Sequence, residues 1–353
     1  MSKGRVFVAM SGGVDSSLAA ALLKEAGYEV IGVTMQVWPS DKPAFGGCCG
    51  LEAIEAAKQV AYKLGIPHYV MNFRDIFAQR VIADFCQEYS LGRTPNPCIR
   101  CNQYVKFDAL LERTKELDAD FIATGHYARI EPSPNGYRLL KAVDLTKDQS
   151  YFLYTLGQRE LRHLLLPIGN LHKVEVRRLA AKLGLPTATR RDSQDVCFIP
   201  DNDYRAFVAK HISLESGDIV NTKGDVLGRH SGLARYTVGQ RQGLGIASNE
   251  RLYVLQLDVA GNKLVVGTKD QLVKNRLSAS KLSWVSGEAP QEAITITAKI
   301  RYKSPETAAR LHLNDGVAEV NFHQPQRAIS PGQSVVFYQG DAVLGGGIIE
   351  DAG

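Results

Sequence analysis

The chain opens with apolar runs alternating with amphipathic stretches. RVFVAM (residues 5–10) is a short unbroken apolar run, the pattern of a parallel strand buried on both faces. DSSLAAALLKEAG (15–27) then places Leu18, Ala19, Leu22, Leu23 and Ala26 at helical spacing and ends on Gly27, a residue suited to a C-terminal cap. YEVIGVTM (28–35) reads as a second strand, LEAIEAAKQVAYKLG (51–65) as a second helix closed by Gly65, and HYVMNF (68–73) as a third strand. FDALLERTKELDAD (107–120) followed by FIATG (121–125) adds a further helix and strand. Strands and helices in alternation with short joints predict right-handed crossovers and an α/β, doubly wound parallel sheet. Ligands of such sheets bind at the C-terminal ends of the strands.

From about Ser213 the helical period disappears and glycines become frequent. Short β-rich runs follow: RYTVGQRQGLG (235–245), RLYVLQLD (251–258), KLVVGT (263–268), ITITAKIRY (294–302), VAEVNF (317–322), SVVFYQG (334–340) and LGGGIIE (344–350). GNK (261–263) and NDG (314–316) are tight-turn signals between strands. The expected division is an α/β unit over residues 1–212, a small β-rich central domain over 213–269 and small all-β structure, a β-barrel at its end, over 270–353.

Composition refines this picture in four ways. The chain has 353 residues, 44% hydrophobic and 22% charged, enough for two to three domains with a full core. The N-terminus lacks the apolar stretch and cleavage site of a secretory signal, and no run approaches the roughly 20 apolar residues of a membrane-spanning helix, which points to a cytoplasmic protein without a membrane partner. Six cysteines are too few for a disulfide framework at this length, so in a reducing compartment they are structural thiols, metal ligands or catalysts. The net charge is +5, yet residues 158–191 alone carry a surplus of +6, from Arg159, Arg162, Lys173, Arg177, Arg178, Lys182, Arg190 and Arg191 against Glu160 and Glu175. A solvated helix face and a phosphate-backbone contact surface both fit that stretch.

Ala9, Met10, Ser11, Gly12, Gly13, Val14, Asp15 and Ser16 follow the first strand and open the first helix, the context in which a glycine loop cradles phosphate. Gly12 and Gly13 permit close backbone approach and positive φ, and Ser11, Ser16 and Ser17 add hydroxyls. Asp15 repels phosphate, so its expected task is to hold Mg²⁺ or to cap the helix. No loop lysine follows, which argues against transfer of a γ-phosphoryl group.

SGGVDS resembles the loop of the PP-loop ATP pyrophosphatases. These split ATP between the α and β phosphates and adenylate an oxygen of their substrate. That resemblance also implies adenosine contacts at Met35 and Gly125, although Met35 read alone is a core methionine. GGCCG (46–50), TPNPCIRCNQYVKF (94–107), TGHYAR (124–129), KDQSYFL (147–153), DSQDVCFI (192–199), YTVGQRQGLG (236–245), SPGQSVVFY (330–338) and LGGGIIE (344–350) narrow it further. In order and along nearly the whole chain, they resemble the tRNA-specific 2-thiouridylases. The resemblance implies ATP as co-substrate with Mg²⁺, tRNA as partner, a protein donor of persulfide sulfur (a cysteine desulfurase or relay) and a cellular reductant. It assigns the persulfide to Cys197 and the nucleophile to Cys101, which then form a transient disulfide. It further implies target-base contacts at Asn96, Pro97 and Cys98. Contacts to tRNA follow at His126, Lys147, Asp148, Gln149, Arg301, Tyr302 and Gln333. Part of the family carries aspartate where this chain has Cys98.

The alternatives are a PP-loop amide synthetase acting on a small metabolite, and a zinc-stabilised RNA-binding module using Cys48, Cys49, Cys98 and Cys101. The vicinal pair Cys48–Cys49 is a poor half-site for zinc, so no metal is expected. Cys86 lies in a helical pattern and reads as core. Thr94, Pro95 and Pro97 argue against helix in the cysteine loop.

Overall fold

The computed structural model describes residues 2–37, 50–192, 196–199 and 203–353. Strand β1 (Arg5–Ala9) shows why its run is apolar throughout. Val6 and Val8 enter one hydrophobic core, and Phe7 and Ala9 enter another on the opposite face. Around it lie β2 (Glu29–Gln36), β3 (His68–Asn72), β4 (Phe121–Ala123) and, after the hairpin β5 (Ala128–Ser133) and β6 (Gly136–Lys141), the short β7 (Leu164–Leu165). They form a five-stranded sheet in the order β3-β2-β1-β4-β7, with every pairing parallel. Chain order reverses between β1 and β4, so the crevice beyond their C-terminal ends is the ligand position of a doubly wound sheet.

Helices α1 (Val14–Glu25) and α2 (Leu51–Leu64) cover the Val6/Val8 face. Gly65 ends α2 at φ 60°, the left-handed cap that its position predicts. The other face is covered by two helical runs, each interrupted by π-helix. One joins α3 (Arg74–Phe77) to α4 (Ala83–Ser90) through Ala78–Ile82. The second joins α5 (Pro97–Arg100) to α6 (Leu110–Glu116) through Cys101–Ala109. The second run corrects the expectation that prolines keep helix out of the cysteine loop. Pro97 occupies the first helical turn, where its fixed φ is pre-organised and its missing N–H costs nothing. Two further helices, α7 (Gln158–Leu161) and α8 (Lys173–Lys182), follow, and α8 packs on the α1 side. The short α9 (Tyr204–Ala209) joins the opposite core through Phe207 and Val208.

Everything beyond α9 is β apart from short 3₁₀ turns. Four strands, β8 (Gly217–Val220), β9 (Val226–His230), β10 (Tyr253–Asp258) and β11 (Lys263–Gly267), form a small sheet in the order β10-β11-β8-β9. The last six, β12 (Val273–Trp284), β13 (Ile294–Lys299), β14 (Thr307–Asn314), β15 (Val317–Arg327), β16 (Ser334–Gln339) and β17 (Ala342–Asp351), close into a barrel through the β12–β17 pairing. The NDG turn between β14 and β15 has Asp315 at φ 45° and Gly316 at φ 78°, the double positive φ of a tight hairpin.

Two features tie the barrel to the α/β unit. The β5–β6 hairpin extends the barrel sheet, with Leu139 opposite Val343 and Leu140 opposite Ala342. Val285, Val336, Tyr338 and Val343 of the barrel share one core with Leu139, Tyr151 and Tyr154.

Candidate active site

The loop after β1 is shaped by contacts that leave little freedom. Gly12 has φ 68°, and a β-carbon there would overlap the Ala53 carbonyl at the start of α2. Gly13, by contrast, sits at φ −88° as the N-cap of α1, so only the first of the two glycines uses the left-handed region. The hydroxyls are spent inside the loop. Ser17 Oγ donates to Gly13 O at 2.8 Å, Ser16 Oγ donates to the same carbonyl at 3.2 Å, and Ser11 N donates to Ser16 Oγ at 3.2 Å. Gly125, just past β4, lies against this turn, and a β-carbon there would come within 2.5 Å of Ser16 N. The two strand ends flanking the crevice thus touch backbone to backbone.

Asp15 neither caps α1 nor stands open to a metal. Its carboxylate accepts from Lys173 Nζ at 2.8 and 2.7 Å and from Tyr127 Oη at 2.8 Å. Lys173 is buried at the start of α8 and also contacts Asp192 Oδ1 at 2.9 Å. Asp192 is further held by Arg177 at 2.7 Å and Lys147 at 3.0 Å. Burial works to raise the Asp192 pKa, but the hydrogen bonds from Lys173 and Lys147 outweigh it and leave the carboxyl below its usual range. Burial, then the neighbouring Asp15 charge, pushes the Tyr127 phenol far above its ordinary value, so it remains a donor. This set does not fit a resident Mg²⁺, because the carboxylate expected to hold it is already bound by an ammonium and a phenol. No cluster of three or more His, Cys, Asp or Glu suited to a metal occurs among the described residues.

Only part of the basic stretch at 158–191 faces inward. Lys173 and Arg177 serve Asp15 and Asp192, and Arg190 donates to Gly12 O at 3.2 Å. Arg159 pairs with Asp108 and Glu112. Arg162, Arg178, Lys182 and Arg191 are left exposed. The charge surplus thus builds part of the surroundings of the loop after β1 and leaves the rest exposed.

The cysteine loop is held from both ends. Before it, Arg93 pairs with Glu88 at 2.6 Å and with Glu350 on β17. Thr94 N donates to Pro331 O at 2.8 Å, and Gln333 Nε2 donates to Thr94 O at 2.9 Å and Pro95 O at 3.3 Å. Pro97 and Ile99 are buried, which leaves Asn96 half-buried and the Cys98 side chain exposed on α5. Cys101 opens the π-helical stretch and packs against the core that also holds Ile99 and Val105. Cys197 packs on this same core, anchored by its neighbour Phe198, whose ring meets Phe77, Phe85 and Phe207 edge to face. The fold thus hangs Cys101 and Cys197 on one hydrophobic cluster. Cys86 packs there too, its thiol pKa raised by burial. Cys48 and Cys49 lie outside the described residues.

The residues assigned to tRNA fall into two groups. Lys147 reaches Asp192, Gln149 Oε1 accepts from Tyr127 N at 3.0 Å, and buried Asp148 accepts from Ala142 N and Ser150 N. These three brace the loop between β6 and the nucleotide site. His126 is buried beside Thr124, whose Oγ1 is 2.7 Å from Nδ1. Burial, then the Lys106 charge, holds its pKa well below the ordinary 6.5, so the ring is neutral. At the barrel end, the Tyr302 ring packs on Phe152 with centroids 4.4 Å apart, while Asn102, next to Cys101, donates to Phe152 O at 3.2 Å. The Arg301 guanidinium points inward and donates to Val238 O, Ala328 O and Ser330 Oγ, binding the barrel to the central domain. Met35 is buried in the main core. Sequence reasoning missed Lys173, Tyr127 and Arg93, whose partners lie 158, 112 and 257 positions away.

A parallel sheet with a glycine loop at its switch point, followed by two β domains, defines a nucleotide-binding α/β protein with β-barrel appendages. Residues 4–201 match the tRNA methyl transferase HUP domain, 205–268 the PRC-barrel domain of that group and 274–349 the aminomethyltransferase beta-barrel domain. The tRNA-specific 2-thiouridylase MnmA of Acetivibrio thermocellus is 50% identical over 99% of this chain and 100% of its own. The enzyme of the same name from Geotalea uraniireducens is 52% identical over 99% of this chain and 95% of its own. A solved 4-thiouridine synthetase–RNA complex with bound ATP aligns over 59% of this chain and 50% of that one, at 15% identity and a TM-score of 0.37. The chain belongs to the tRNA-specific 2-thiouridylase family.

Proposed function

We propose that this chain uses ATP to replace the 2-oxygen of the tRNA wobble uridine with sulfur. The observation that carries the reading is the seating of Cys101 and Cys197 on one core, in a fold whose sheet places the SGGVDS loop at its switch point. The uracil 2-oxygen is a poor leaving group. Attack of that oxygen on the α-phosphate, with loss of the N3 proton, breaks the α–β bridge and releases pyrophosphate. The terminal sulfur of a Cys197 persulfide then attacks C2 and AMP leaves, giving a Cys197–S–S–C2 linkage. Cys101 thiolate attacks the Cys197 sulfur of that linkage, which releases the thiouridine as its anion and forms a Cys101–Cys197 disulfide. The anion takes up a proton, and a two-electron reductant of the cytoplasm reopens the disulfide. A persulfide-bearing protein supplies the sulfur, and Mg²⁺ enters only as the counterion of ATP.

Asn96, Pro97 and Cys98 open the helical run that carries Cys101 and are read as contacts to the extruded base, since a stacked uracil cannot reach the α-phosphate. Ala9–Ser16, Met35 and Gly125 are read as the ATP site. Among the tRNA contacts, exposed or half-exposed groups such as Lys147 and Tyr302 are the ones free to meet RNA by rearranging modestly, with Tyr302 offering a stacking face. No helix among the described residues is long and apolar enough to cross a membrane. Incubation with ATP, Mg²⁺, unmodified tRNA and a persulfide donor is expected to yield AMP, pyrophosphate and 2-thiouridine. Pyrophosphate release without RNA, unaffected by Cys101→Ser or Cys197→Ser, would instead indicate a PP-loop amide synthetase.

A further inference from the structure

The helical run that carries Cys101 changes pitch at that residue, and the pitch decides which side chain stands beside the thiol. We propose that Lys106, one π-turn further on, is the positioning residue of Cys101 and holds its sulfur as the thiolate that attacks the Cys197 sulfur. The inference rests on the reading of Cys101 as the nucleophile. Cys101–Ala109 is π-helical, and Leu110 N–H donates to Val105 O, five positions back. In an α-helix, five residues would leave Lys106 about 140° round the axis from Cys101. A π-helix, with about 4.4 residues per turn, reduces that to about 50° and sets Val105 about 30° to the other side. The π-helical pitch therefore places Cys101 between Val105 and Lys106 on one face.

That face is turned into the protein. Val105 and Phe107 are buried, Cys101 packs on their core, and Lys106 is half-buried. The Phe107 ring lies 5.8 Å from the His126 ring, and burial, then the Lys106 charge, keeps that imidazole neutral. His126 therefore cannot supply the cation itself. Other charged groups around the stretch are engaged elsewhere. Arg100 lies 3.5 Å from Asp84, Arg74 donates to Asn72 Oδ1 at 2.9 Å, and Arg80 lies over the Tyr104 ring. Asp108 and Glu112 pair with Arg159, Arg113 pairs with Glu116, and Asp75 is exposed. The Tyr151 phenol stays protonated, its pKa pushed well above the ordinary value by burial. A cation beside a thiol favours the thiolate, and Lys106 is the cation that the π-turn brings there.

The test reads the thiol directly. The full-length protein, without ATP or tRNA, is alkylated with iodoacetamide over a range of pH, and the peptide containing Cys101 is quantified by mass spectrometry. The wild-type rate is expected to reach half its plateau well below the ordinary cysteine value of about 8.5. Lys106→Met is expected to raise that midpoint by about one pH unit. Alkylation at neutral pH then slows about threefold, because the thiolate fraction falls while the more basic sulfur is the better nucleophile. Lys106→Arg, which restores a cation, is expected to keep the midpoint near wild type. If Lys106→Met does not fold, Lys106→Gln is read in the same way. A wild-type midpoint at or above the ordinary value would overturn the inference. So would an unmoved midpoint in the neutral variants with only the plateau rate changed, the result of a purely structural lysine. Normal thiolation by Cys101→Ser would instead overturn the reading of Cys101 as the nucleophile and leave the midpoint shift standing.

Discussion

Gln333 of the barrel donates its amide Nε2 to the carbonyl of Thr94 at 2.9 Å, across 239 positions of chain, and so grips the loop that leads into Cys98 and Cys101. Gly332 lies close beneath the same segment, 2.7 Å from Thr94 N as measured from its implied β-carbon. The barrel therefore supports the cysteine loop directly, whatever it contributes to RNA. Replacing Gln333 with Ala is expected to lower kcat for thiolation by about tenfold, the worth of one or two hydrogen bonds, while ATP affinity stays unchanged. Single-turnover kinetics and ATP titration on the same variant check this. Parallel losses in both would place Gln333 elsewhere in the mechanism.

Arg93 makes the stronger link across that junction. It is 17% exposed and lies between Glu88, which is 10% exposed, and Glu350. Arg93→Met leaves Glu88 buried without its cation, which is expected to cost about 3 kcal/mol. Urea denaturation, with the m-value monitored, measures the loss.

Because Val336, Tyr338 and Val343 share a core with Tyr151 and Leu139, the barrel is not a detachable module. A chain ending at residue 269 is expected to expose this surface and to lose cooperative unfolding of the α/β unit. Near-ultraviolet circular dichroism and thermal denaturation distinguish that outcome from an intact, shortened enzyme.

Protonation supplies a further prediction. The folded state holds His126 neutral, with its pKa well below 6.5. An unfolded chain would protonate it near 6.5, so this group's contribution to stability is complete above that pH and is lost as pH falls below it. Asp192, depressed from 3.8, acts in the same direction but only in more acidic solution. Between pH 7 and 5 the melting temperature of wild type is expected to fall more steeply than that of His126→Gln. Equal slopes would contradict the buried neutral imidazole.

The sheet was legible because each strand carries its own signature: Val6, Phe7, Val8 and Ala9 of β1 alternate between two cores, which demands an apolar run. The family of the cysteine motifs was legible for the same local reason. What stayed hidden depends on distant partners. Nothing in GYRLLK announces that β6 will pair with Ala342 and Val343, and nothing in HKVEVRR marks Lys173 as the partner of Asp15. The charge surplus at 158–191 was visible, but the inward turn of Lys173, Arg177 and Arg190 was not, since Asp15 and Gly12 lie far away in sequence. The proline argument failed for another reason. A proline forbids helix interior, yet suits the first turn, and Pro97 stands there.

The central claim is that Cys197 carries sulfur and Cys101 completes its transfer to uridine. Mass analysis of nucleosides from tRNA, after reaction with wild type, Cys101→Ser, Cys197→Ser and Cys98→Ser, tests it most directly. The account predicts 2-thiouridine at the wobble position with wild type and with Cys98→Ser, and none with either of the other two. Normal thiolation by Cys101→Ser or Cys197→Ser would contradict it.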